Sequence, residues 1–493
     1  MMLLAGIAHD RGAEYDEGYT VFLASGNPRP DWPTAPFRAG EVRAAFDGRS
    51  TLPDIARDLR ATDVHPPLYF WAAEEWRRLV GPDLFALRLL SVLFGGGTLL
   101  SVALLAAEAE VPAVPAMLLT LGCYGFSYTA AVARGFALAE LLALLGVWLV
   151  LRAGRCGRVP AALAGGVLLG LASFANYLAA FLGAAALLWL LLRLRRRAPV
   201  FAAAALGFMA VLPADLWFFL AQRGSRAGQF PPFHWLPSLA RLAQYAAGAL
   251  FGGLPLYAEG RLRLALGALL AALLAALVGL IGTEWRRIGR AEARSLLALA
   301  ALAPPAGLIA LGLVFDNTPI ELRYLAYATP FFALLLAGAA AALPARRGAA
   351  VLMLVLAVQA AALAGLAWRP ETMQPQAEAA REAAALAGRE GLVLVPRGND
   401  GVGVVGAVIQ SAPDWLRLLA VPRAATPDAI RAGAAHAPVV VLALLGLDAD
   451  SRATLPAMAA AFRHLPCWRQ SGHGADTLAF THLPGCTSDS ASR

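Results

Sequence analysis

The stretch of sequence that decides the fold is PAALAGGVLLGLASFANYLAAFLGAAALLWLLL, residues 160–192. It contains no charged residue. As a single helix, at about 1.5 Å per residue, it would be much longer than the roughly 30 Å apolar core of a bilayer. We therefore expect two membrane helices, joined by a tight turn at Asn176 and Tyr177.

The rest of the chain has the same apolar character. Hydrophobic residues make up 59% of the 493 residues, charged residues make up 15%, and the mean hydropathy is +0.61. This composition predicts a mainly α, polytopic transmembrane helical bundle, and it disfavours a soluble enzyme, a DNA-binding protein and a disordered chain. The predicted spans, about ten, are 84–106, 112–131, 136–151, 160–175, 177–192, 199–220, 263–282, 295–315, 324–343 and 349–367.

The positive charge predicts the orientation of these spans. The chain has 41 basic and 33 acidic residues, a formal net charge of +8, and every basic residue is Arg. Arg clusters occupy four short loops, at 152–158, 193–197, 286–294 and 346–347. With ten spans, all four loops fall on one side, which the positive-inside rule makes cytoplasmic. The first loop, the Arg134 turn, the 221–262 loop, the Asp316–Arg323 loop and the tail are then extracytoplasmic.

Three regions follow from this topology. Residues 1–83 are predicted to hold the end of a truncated first helix, with the true start upstream, and a first extracytoplasmic loop. Residues 84–367 form the transmembrane domain, and the aromatic and apolar residues of its 221–262 outer loop suit either an interfacial helix or a lid. Residues 368–493 are predicted to form a small extracytoplasmic α/β domain.

The tail prediction depends on local patterns. An amphipathic helix is expected at Gln376–Leu386, and strands are expected at Gly391–Pro396 and Pro438–Leu445. Cys467 and Cys486 also lie in the tail, where an oxidising compartment would allow a disulfide between them.

Two acidic elements lie on the predicted outer side. Asp16 and Glu17 are adjacent carboxylates in the run EYDEGYT, residues 14–20. Asp63 and His65 precede two prolines that fix the chain as it enters a helix. Taken alone, each element is also typical of an ordinary helix start, so any chemistry depends on their combination.

Arginines near the outer ends of the spans are the third element. Arg88, Arg134 and Arg323 occupy such positions. A single Arg there typically extends to the membrane interface. Three on one side, together with acidic loops, indicate an anionic ligand, because a guanidinium group suits a phosphate. Glu140 lies inside a span, where the cost of burying a carboxylate favours either a functional role or pairing with an Arg, and pairing is the interpretation we favour.

Several motifs of other enzyme classes are missing from the sequence. It contains no Walker glycine-rich loop, HExxH, CxxC or GxSxG motif. Nucleotide-driven transport, zinc proteolysis and serine hydrolysis are therefore disfavoured. Alternating-access transport usually places polar sites at mid-membrane, whereas most polar groups here lie at the predicted outer surface.

The polar elements, in their order along the chain, resemble those of the GT-C membrane glycosyltransferases. The resemblance covers roughly residues 10–370. It is greatest to the group (family 39 or 83 type) of protein O-mannosyltransferases, lipid A aminoarabinose transferases and rhizobial lipopolysaccharide galacturonosyltransferases. The residues that carry it are Tyr15-Asp16-Glu17, the run DVHPPLY at 63–69, Leu87 to Ser91, Ala133-Arg134, and Leu322-Arg323-Tyr324 with Pro330.

The sequence departs from the family pattern at two places. Gly135 and Phe136 follow Arg134 where relatives commonly have a Tyr, and Asn176 occupies a turn that often carries a His. These departures bear on the identity of the acceptor and the sugar.

The resemblance implies an enzyme that moves a hexosyl or pentosyl group by inverting displacement. The donor would be a polyprenyl-monophosphate sugar, and the acceptor a lipid, glycan or protein on the outer face of a bacterial inner membrane. Asp16 would be the catalytic base, and Glu17 would orient the acceptor or a metal. Membrane lipids are also expected as partners, and nucleic acid is not expected.

The remaining site residues are assigned by the same resemblance. Arg134, Arg323 and Tyr324 would bind the carrier phosphate. Asp63 and His65 would complete the acceptor side or, together with Asp16, bind a divalent cation, which is the only cofactor implied.

Two other functions stay open from the sequence. A transporter or flippase of lipid-linked sugars accounts for the spans and the Arg residues, but not for the carboxylate pair and the His-Pro-Pro element. A membrane scaffold or sensor whose tail binds a partner is the third possibility.

Overall fold

The computed structural model describes residues 1–27, 31–223, 230–369, 375–399, 401–463 and 465–484, without the side chains of residues 45 and 194–196. The chain forms two compact units, each built from three separate segments. The first unit comprises Met1–His9, Ala56–Ala72 and Phe85–Arg369, and the second comprises Asp10–Ile55, Ala73–Leu84 and Pro370–Arg493.

Helices account for most of the described chain. In order they are α1 (Met2–Asp10), α2 (Glu17–Ser25), α3 (Ala39–Arg43), α4 (Leu52–Thr62), α5 (Leu68–Val80), α6 (Leu84–Ala109), α7 (Ala113–Gly122), α8 (Tyr124–Thr129), α9 (Phe136–Cys156), α10 (Val159–Ala175), α11 (Ala180–Leu191), α12 (Leu194–Gln222), α13 (Trp235–Phe251), α14 (Gly260–Thr283), α15 (Ala291–Phe315), α16 (Thr329–Ala342), α17 (Ala345–Trp368), α18 (Gln376–Ala387), α19 (Val404–Ser411), α20 (Pro427–Gly433) and α21 (Ala449–Ala460). Short 3-10 segments occur at Ala44–Asp47, Tyr177–Ala179, Leu254–Tyr257, Trp285–Arg287 and Leu322–Ala328.

The first unit contains the membrane helices. Seven helical segments of the described chain are long and apolar enough to cross a membrane: α6, α9, α12 from Arg197, α14, α15, Leu322–Ala342 and α17. Three shorter apolar helices lie at Ala113–Gly122, Val159–Ala175 and Tyr177–Leu191. Each of the ten predicted segments contains one of these helices, and the chain is a multi-pass membrane protein.

The turn predicted at Asn176 and Tyr177 is confirmed. Helix α10 ends at Ala175, and the Asn176 side-chain oxygen accepts a hydrogen bond from the backbone nitrogen of Leu178 at 3.1 Å. This bond satisfies a backbone donor at the start of the next helix, as an N-cap residue does.

The span predicted at 112–131 is not continuous, which corrects the sequence analysis. Helix α7 ends at Gly122, and Cys123 has extended backbone angles before α8 begins. Two carbonyls near the break accept side-chain hydrogen bonds: the Ser127 hydroxyl donates to the Leu121 carbonyl at 2.5 Å, and the Gln359 amide donates to that of Leu119 at 3.2 Å. A broken helix is tolerated in a membrane when its backbone groups are satisfied in this way.

Glycines bring α10 and α12 close together. A β-carbon on Gly166 would lie closer than 3.0 Å to the Ala204 carbonyl oxygen, and one on Gly207 would lie as close to that of Leu163. Small residues allow such backbone approach between membrane helices. Helix α13, in the predicted outer loop, exposes Trp235 and Leu236, as an interfacial helix would.

The second unit is built on one six-stranded sheet. Its strands are β1 (Phe37–Arg38), β2 (Leu392–Pro396), β3 (Arg417–Val421), β4 (Val439–Ala443), β5 (Trp468–His473) and β6 (Thr477–His482), in the order β1-β3-β2-β4-β6-β5. Strand β2 is parallel to β3 and β4, and the other pairs are antiparallel. The helix predicted from Gln376 and the strands predicted around β2 and β4 are confirmed, and apolar side chains of β2, β4, β6 and α21 share one core.

Strand β1, which belongs to the first loop, forms one edge of this sheet. Phe37 of β1 pairs with Leu418 of β3. The Arg43 guanidinium donates to the Ile409 carbonyl at 3.1 Å and 2.6 Å and pairs with the Asp414 carboxylate. Residues of the first loop and of the tail therefore belong to the same folded body. The suggested disulfide of Cys467 involves Cys486, which lies outside the described residues.

Candidate active site

Asp63, His65 and Arg134 form a buried charged cluster in the first unit. Asp63 follows α4, and its Oδ1 accepts hydrogen bonds from the Val64 backbone nitrogen at 2.7 Å and from His65 Nδ1 at 3.1 Å. Arg134 lies in the turn between α8 and α9, and its NH1 is 4.0 Å from Asp63 Oδ2. Prolines 66 and 67 then lead into α5, so the cluster lies where two helices begin.

The Arg134 guanidinium packs against the His65 ring. Its NH2 nitrogen is 3.0 Å from Nδ1 and 3.2 Å from Nε2, so it lies against the ring face rather than along either ring N–H direction.

Asp63 is the anionic partner of this cluster. Burial alone would raise the pKa of Asp63, but the charges of His65 and Arg134 and the hydrogen bonds to the carboxylate hold that pKa well below its usual range. The cluster is thus an ionised carboxylate that fixes a histidine and an arginine.

Gln222 ties this cluster to the neighbouring helices. Its amide nitrogen donates to the carbonyls of Leu59 at 2.9 Å and His65 at 3.0 Å. Its amide oxygen accepts from the Tyr177 hydroxyl at 2.9 Å. Because Gln222 is the buried last residue of α12, one side chain joins α4, the His65 segment and the turn after α10.

A cavity of about 310 Å³ opens beside these residues. Its size is at the lower end of the range for small-molecule sites. The wall is mainly apolar, with polar groups at a few positions, and this mixture suits a ligand with a long apolar part and a polar head. The lining residues are Val64, His65, Asn176, Tyr177, Leu178, Phe219, Gln222, Arg223, Phe230, Leu311, Phe315, Asn317, Pro319 and Tyr324.

The three predicted phosphate ligands occupy different positions. Tyr324 lines the cavity, and its ring stacks against that of Phe136. Arg323 Nε donates to Glu321 Oε2 at 2.7 Å. Arg134 is buried and contacts His65, which lines the cavity, but is not itself a lining residue. The structure therefore brings His65 and Tyr324 to one cavity and places Arg134 against the His65 ring.

Asp16 and Glu17 belong to the second unit and differ in exposure. Asp16 is the partly exposed residue that precedes α2. Glu17 is fully buried, and its Oε2 accepts a hydrogen bond from the Glu14 backbone nitrogen at 2.8 Å. This bond fixes the turn that contains Asp16.

The structure also places the two remaining candidates. Arg88 is buried, and its NH1 donates to the Ala8 carbonyl at 2.8 Å, which ties α6 to α1. Within the described ranges, Glu140 forms no ion pair and its Oε1 has no hydrogen-bond partner. The expected pairing of Glu140 with an Arg is therefore wrong, because the Arg134 guanidinium is directed to Asp63 and His65 instead.

Metal binding was predicted from Asp16 and His65. In the part of the chain that the structure describes, no three His, Cys, Asp or Glu side chains are grouped to hold a metal ion. Asp16 and His65 belong to different units. The cation stays a prediction.

Comparison with known proteins extends this picture. A family model described as dolichyl-phosphate-mannose-protein mannosyltransferase matches residues 64–217, which include His65, Arg134 and the Asn176 turn. No curated protein sequence matches the chain. Among solved structures, ArnT from Cupriavidus metallidurans in the apo state has a TM-score of 0.51 and 14% identity, over 97% of this chain and 96% of that one. The chain has a GT-C fold.

Two further structures show similarity. ArnT from the same organism bound to undecaprenyl phosphate has a TM-score of 0.50 and 14% identity, over 98% of this chain and 97% of that one. Arabinofuranosyltransferase AftD from Mycobacteria has a TM-score of 0.46 and 16% identity, over 97% of this chain and 40% of that one. The predicted fold is confirmed: a mainly α membrane bundle with a small C-terminal sheet domain, similar to that of ArnT.

Sequence reasoning missed Gln222 and Asn317 among the residues of the candidate site. Both line the cavity, and Asn317 has a buried side-chain oxygen that has no hydrogen-bond partner among the described residues. The position of Gln222 in the sequence could have identified it. It is an amide in the last turn of an otherwise apolar span, where a polar side chain needs a partner.

Proposed function

We propose that the protein is a membrane glycosyltransferase that transfers a sugar from a polyprenyl-monophosphate carrier to an acceptor hydroxyl at the extracytoplasmic face of a bacterial inner membrane. The observation that carries this proposal is the largely apolar cavity that His65 and Tyr324 line, with the Asp63–His65–Arg134 cluster beside it, in a chain with a GT-C fold. One of the similar structures, ArnT, is bound to undecaprenyl phosphate.

The cavity suits the two parts of such a carrier. Its apolar walls would hold the first isoprene units, where burial of apolar surface stabilises binding by about 25 cal/mol per Å². The phosphate would accept hydrogen bonds from the Tyr324 hydroxyl and from Arg323, once the Arg323 guanidinium exchanges Glu321 for the ligand. Arg134 would act through His65 and through its positive charge.

The chemistry is one displacement at the anomeric carbon. The acceptor oxygen forms a bond to that carbon, the bond from the carbon to the phosphate oxygen breaks, and the carrier leaves as polyprenyl phosphate. The proton of the acceptor hydroxyl passes to Asp16. Because the phosphate is a good leaving group, no protein nucleophile is needed, and the anomeric configuration is inverted.

The decisive experiment uses purified protein in liposomes with radiolabelled polyprenyl-phosphate sugars and candidate lipid, glycan and protein acceptors. Covalent transfer supports the glycosyltransferase. Movement of the labelled lipid across the bilayer without transfer would support a flippase, and neither result would favour a scaffold. The sugar and acceptor that react identify the specificity.

Two substitutions test the assigned roles. Asp16→Asn should lower kcat by about a hundredfold or more, because it removes a general base. Asp31→Asn, an equal change of charge at an exposed position of the same loop, should not. Arg323→Ala should weaken carrier binding, whereas the exposed Arg263→Ala should leave it unchanged. Full activity of Asp16→Asn would show that Asp16 is not the catalytic base.

The cation requires a separate test. If a divalent ion takes part, EDTA should abolish transfer and added Mg²⁺ or Mn²⁺ should restore it. Transfer at an unchanged rate in EDTA would overturn the metal proposal and leave the rest intact.

A further inference from the structure

A glycine-rich loop in the tail follows a buried parallel strand and leads into a helix. The stretch RGNDGVGVVG, residues 397–406, runs from the end of β2 into the first turn of α19. In other α/β domains a loop at this position often cradles the phosphates of a nucleotide, since glycines allow close approach to the backbone. The neighbours of these glycines indicate what this loop holds instead.

Side chains of the first loop occupy the space that the glycines leave. A β-carbon on Gly401 would lie closer than 3.0 Å to the Trp32 indole nitrogen, and one on Gly403 would lie as close to the Tyr15 ring. A β-carbon on Gly406 would be 2.8 Å from the Phe22 ring. We call Gly398, Gly401, Gly403 and Gly406 the glycine cradle. The close contacts of Gly401, Gly403 and Gly406 are aromatic side chains of this same chain, and that of Gly398 is the Asp448 carboxylate.

Asp448 links the glycine cradle to Tyr15 by hydrogen bonds. Its Oδ2 accepts hydrogen bonds from the Tyr15 hydroxyl and from the Asn399 backbone nitrogen, both at 3.2 Å. Its Oδ1 accepts from the Ser451 backbone nitrogen at 2.7 Å, while the Ser451 hydroxyl accepts from the Asp448 backbone nitrogen at 2.9 Å. This capping box at the start of α21 fixes the position of the Asp448 carboxylate, which also accepts the hydrogen bond from Tyr15.

The cradle contacts the first loop on both sides of Asp16. Tyr15 directly precedes Asp16, and its ring packs on Gly403. Gly18 follows two residues later, and a β-carbon there would be 3.0 Å from the Val402 carbonyl oxygen. Asp16 and Glu17 thus lie between two points, Tyr15 and Gly18, at which the first loop contacts the glycine-rich loop.

We infer that the glycine cradle and Asp448 are positioning elements that orient Asp16 through Tyr15. The inference rests on the proposed role of Asp16 as base. The tail then takes part in catalysis by orienting Asp16 and is not a separate binding module. A base must lie within hydrogen-bond reach of the proton it accepts, and a displacement of about 1 Å can cost on the order of a hundredfold in rate.

The main test variant is Tyr15→Phe. It removes the hydrogen bond to Asp448 and keeps the ring on Gly403. We expect kcat to fall about tenfold, with KM for the carrier unchanged and the Tm only slightly lower, as after the loss of one hydrogen bond. Gly403→Ala should lower kcat further, because the added carbon displaces the ring. A matched control, Gly433→Ala, should keep wild-type kcat, because its β-carbon would meet only the flexible end of Leu419 at 2.9 Å.

A double-mutant cycle separates this inference from the proposed function. In the Asp16→Asn background, Tyr15→Phe should cause no further loss, because it acts only through that carboxylate. An equal loss in both backgrounds, or wild-type kcat for Tyr15→Phe and Gly403→Ala, would overturn the inference. Wild-type transfer by Asp16→Asn would instead overturn the assignment of the base, whatever the cradle variants do.

Discussion

Gln222 offers a sharp test of the candidate site, because the chain contains a matched control. Gln222→Leu removes two hydrogen bonds to backbone carbonyls and one from the Tyr177 hydroxyl. Buried hydrogen bonds contribute a net 0.5 to 1.5 kcal/mol each, so the loss of stability should be about 1.5 to 4.5 kcal/mol. Gln359, in the same unit, is also buried and donates to the carbonyls of Leu119 at 3.2 Å and Leu250 at 2.9 Å. Gln359→Leu should cost about 1 to 3 kcal/mol by the same reasoning.

The two variants should differ in their effect on the carrier. Gln222 holds the carbonyl of His65, a cavity residue, whereas Gln359 does not line the cavity. Losing one hydrogen bond that orders the binding-competent His65 segment, worth about 1.4 kcal/mol, should raise the carrier KM about tenfold in Gln222→Leu. Gln359→Leu should lower the Tm and leave that KM unchanged.

The measurements are steady-state kinetics with a short-chain polyprenyl-phosphate sugar in detergent and thermal unfolding followed by tryptophan fluorescence. Tyr177→Phe, which removes only the bond to the Gln222 oxygen, should fall between wild type and Gln222→Leu in both measurements. An equal rise in KM for the two Gln variants would mean that general loosening of the bundle causes the effect. An unchanged KM in Gln222→Leu would refute the role of Gln222 in ordering the site.

Three further predictions concern stability. Because the pKa of Asp63 is lowered in the folded state, its cluster stabilises the protein above the ordinary aspartate pKa of about 3.9 and loses this effect as the pH falls below it. The wild-type Tm should therefore drop more between pH 5 and pH 3 than that of Asp63→Asn. Gly166→Ala should cost about 1 to 3 kcal/mol by overpacking against α12, whereas Gly267→Ala, with open space around it inside α14, should not lower the Tm. Arg43→Ala should make the second unit more sensitive to limited proteolysis, because it frees the end of α19.

Much of the membrane unit could be predicted because hydropathy is a local property of the sequence. The ten apolar segments, the turn at Asn176 and the helix from Gln376 each depend on residues close together in the chain. The break at Cys123 was missed, because its extended backbone is stabilised by the Gln359 amide, which arrives from a distant helix. Hydropathy carries no information about such a partner.

The residue types of the candidate site were predicted better than the positions of these residues relative to one another. His65 and Tyr324 were expected to act in one reaction, and they line one cavity. Gln222 was missed since its importance comes from the His65 carbonyl, 157 positions away. Strand β1 was missed for the same reason: two residues show no periodicity, and β1 exists only because β3 offers an edge.

The second unit has a consequence for how the protein is made. Its first segment carries Tyr15, Phe22 and Trp32, and the Tyr15 contact to Asp448 spans 433 positions. At a synthesis rate of about 5 to 20 residues per second, these rings wait roughly 20 to 90 seconds before their partners leave the ribosome. Every membrane helix is synthesised within that interval. Quality-control proteases and chaperones would therefore meet an uncovered aromatic surface on every nascent chain, and a nonsense mutation before codon 401 would leave that surface permanently uncovered.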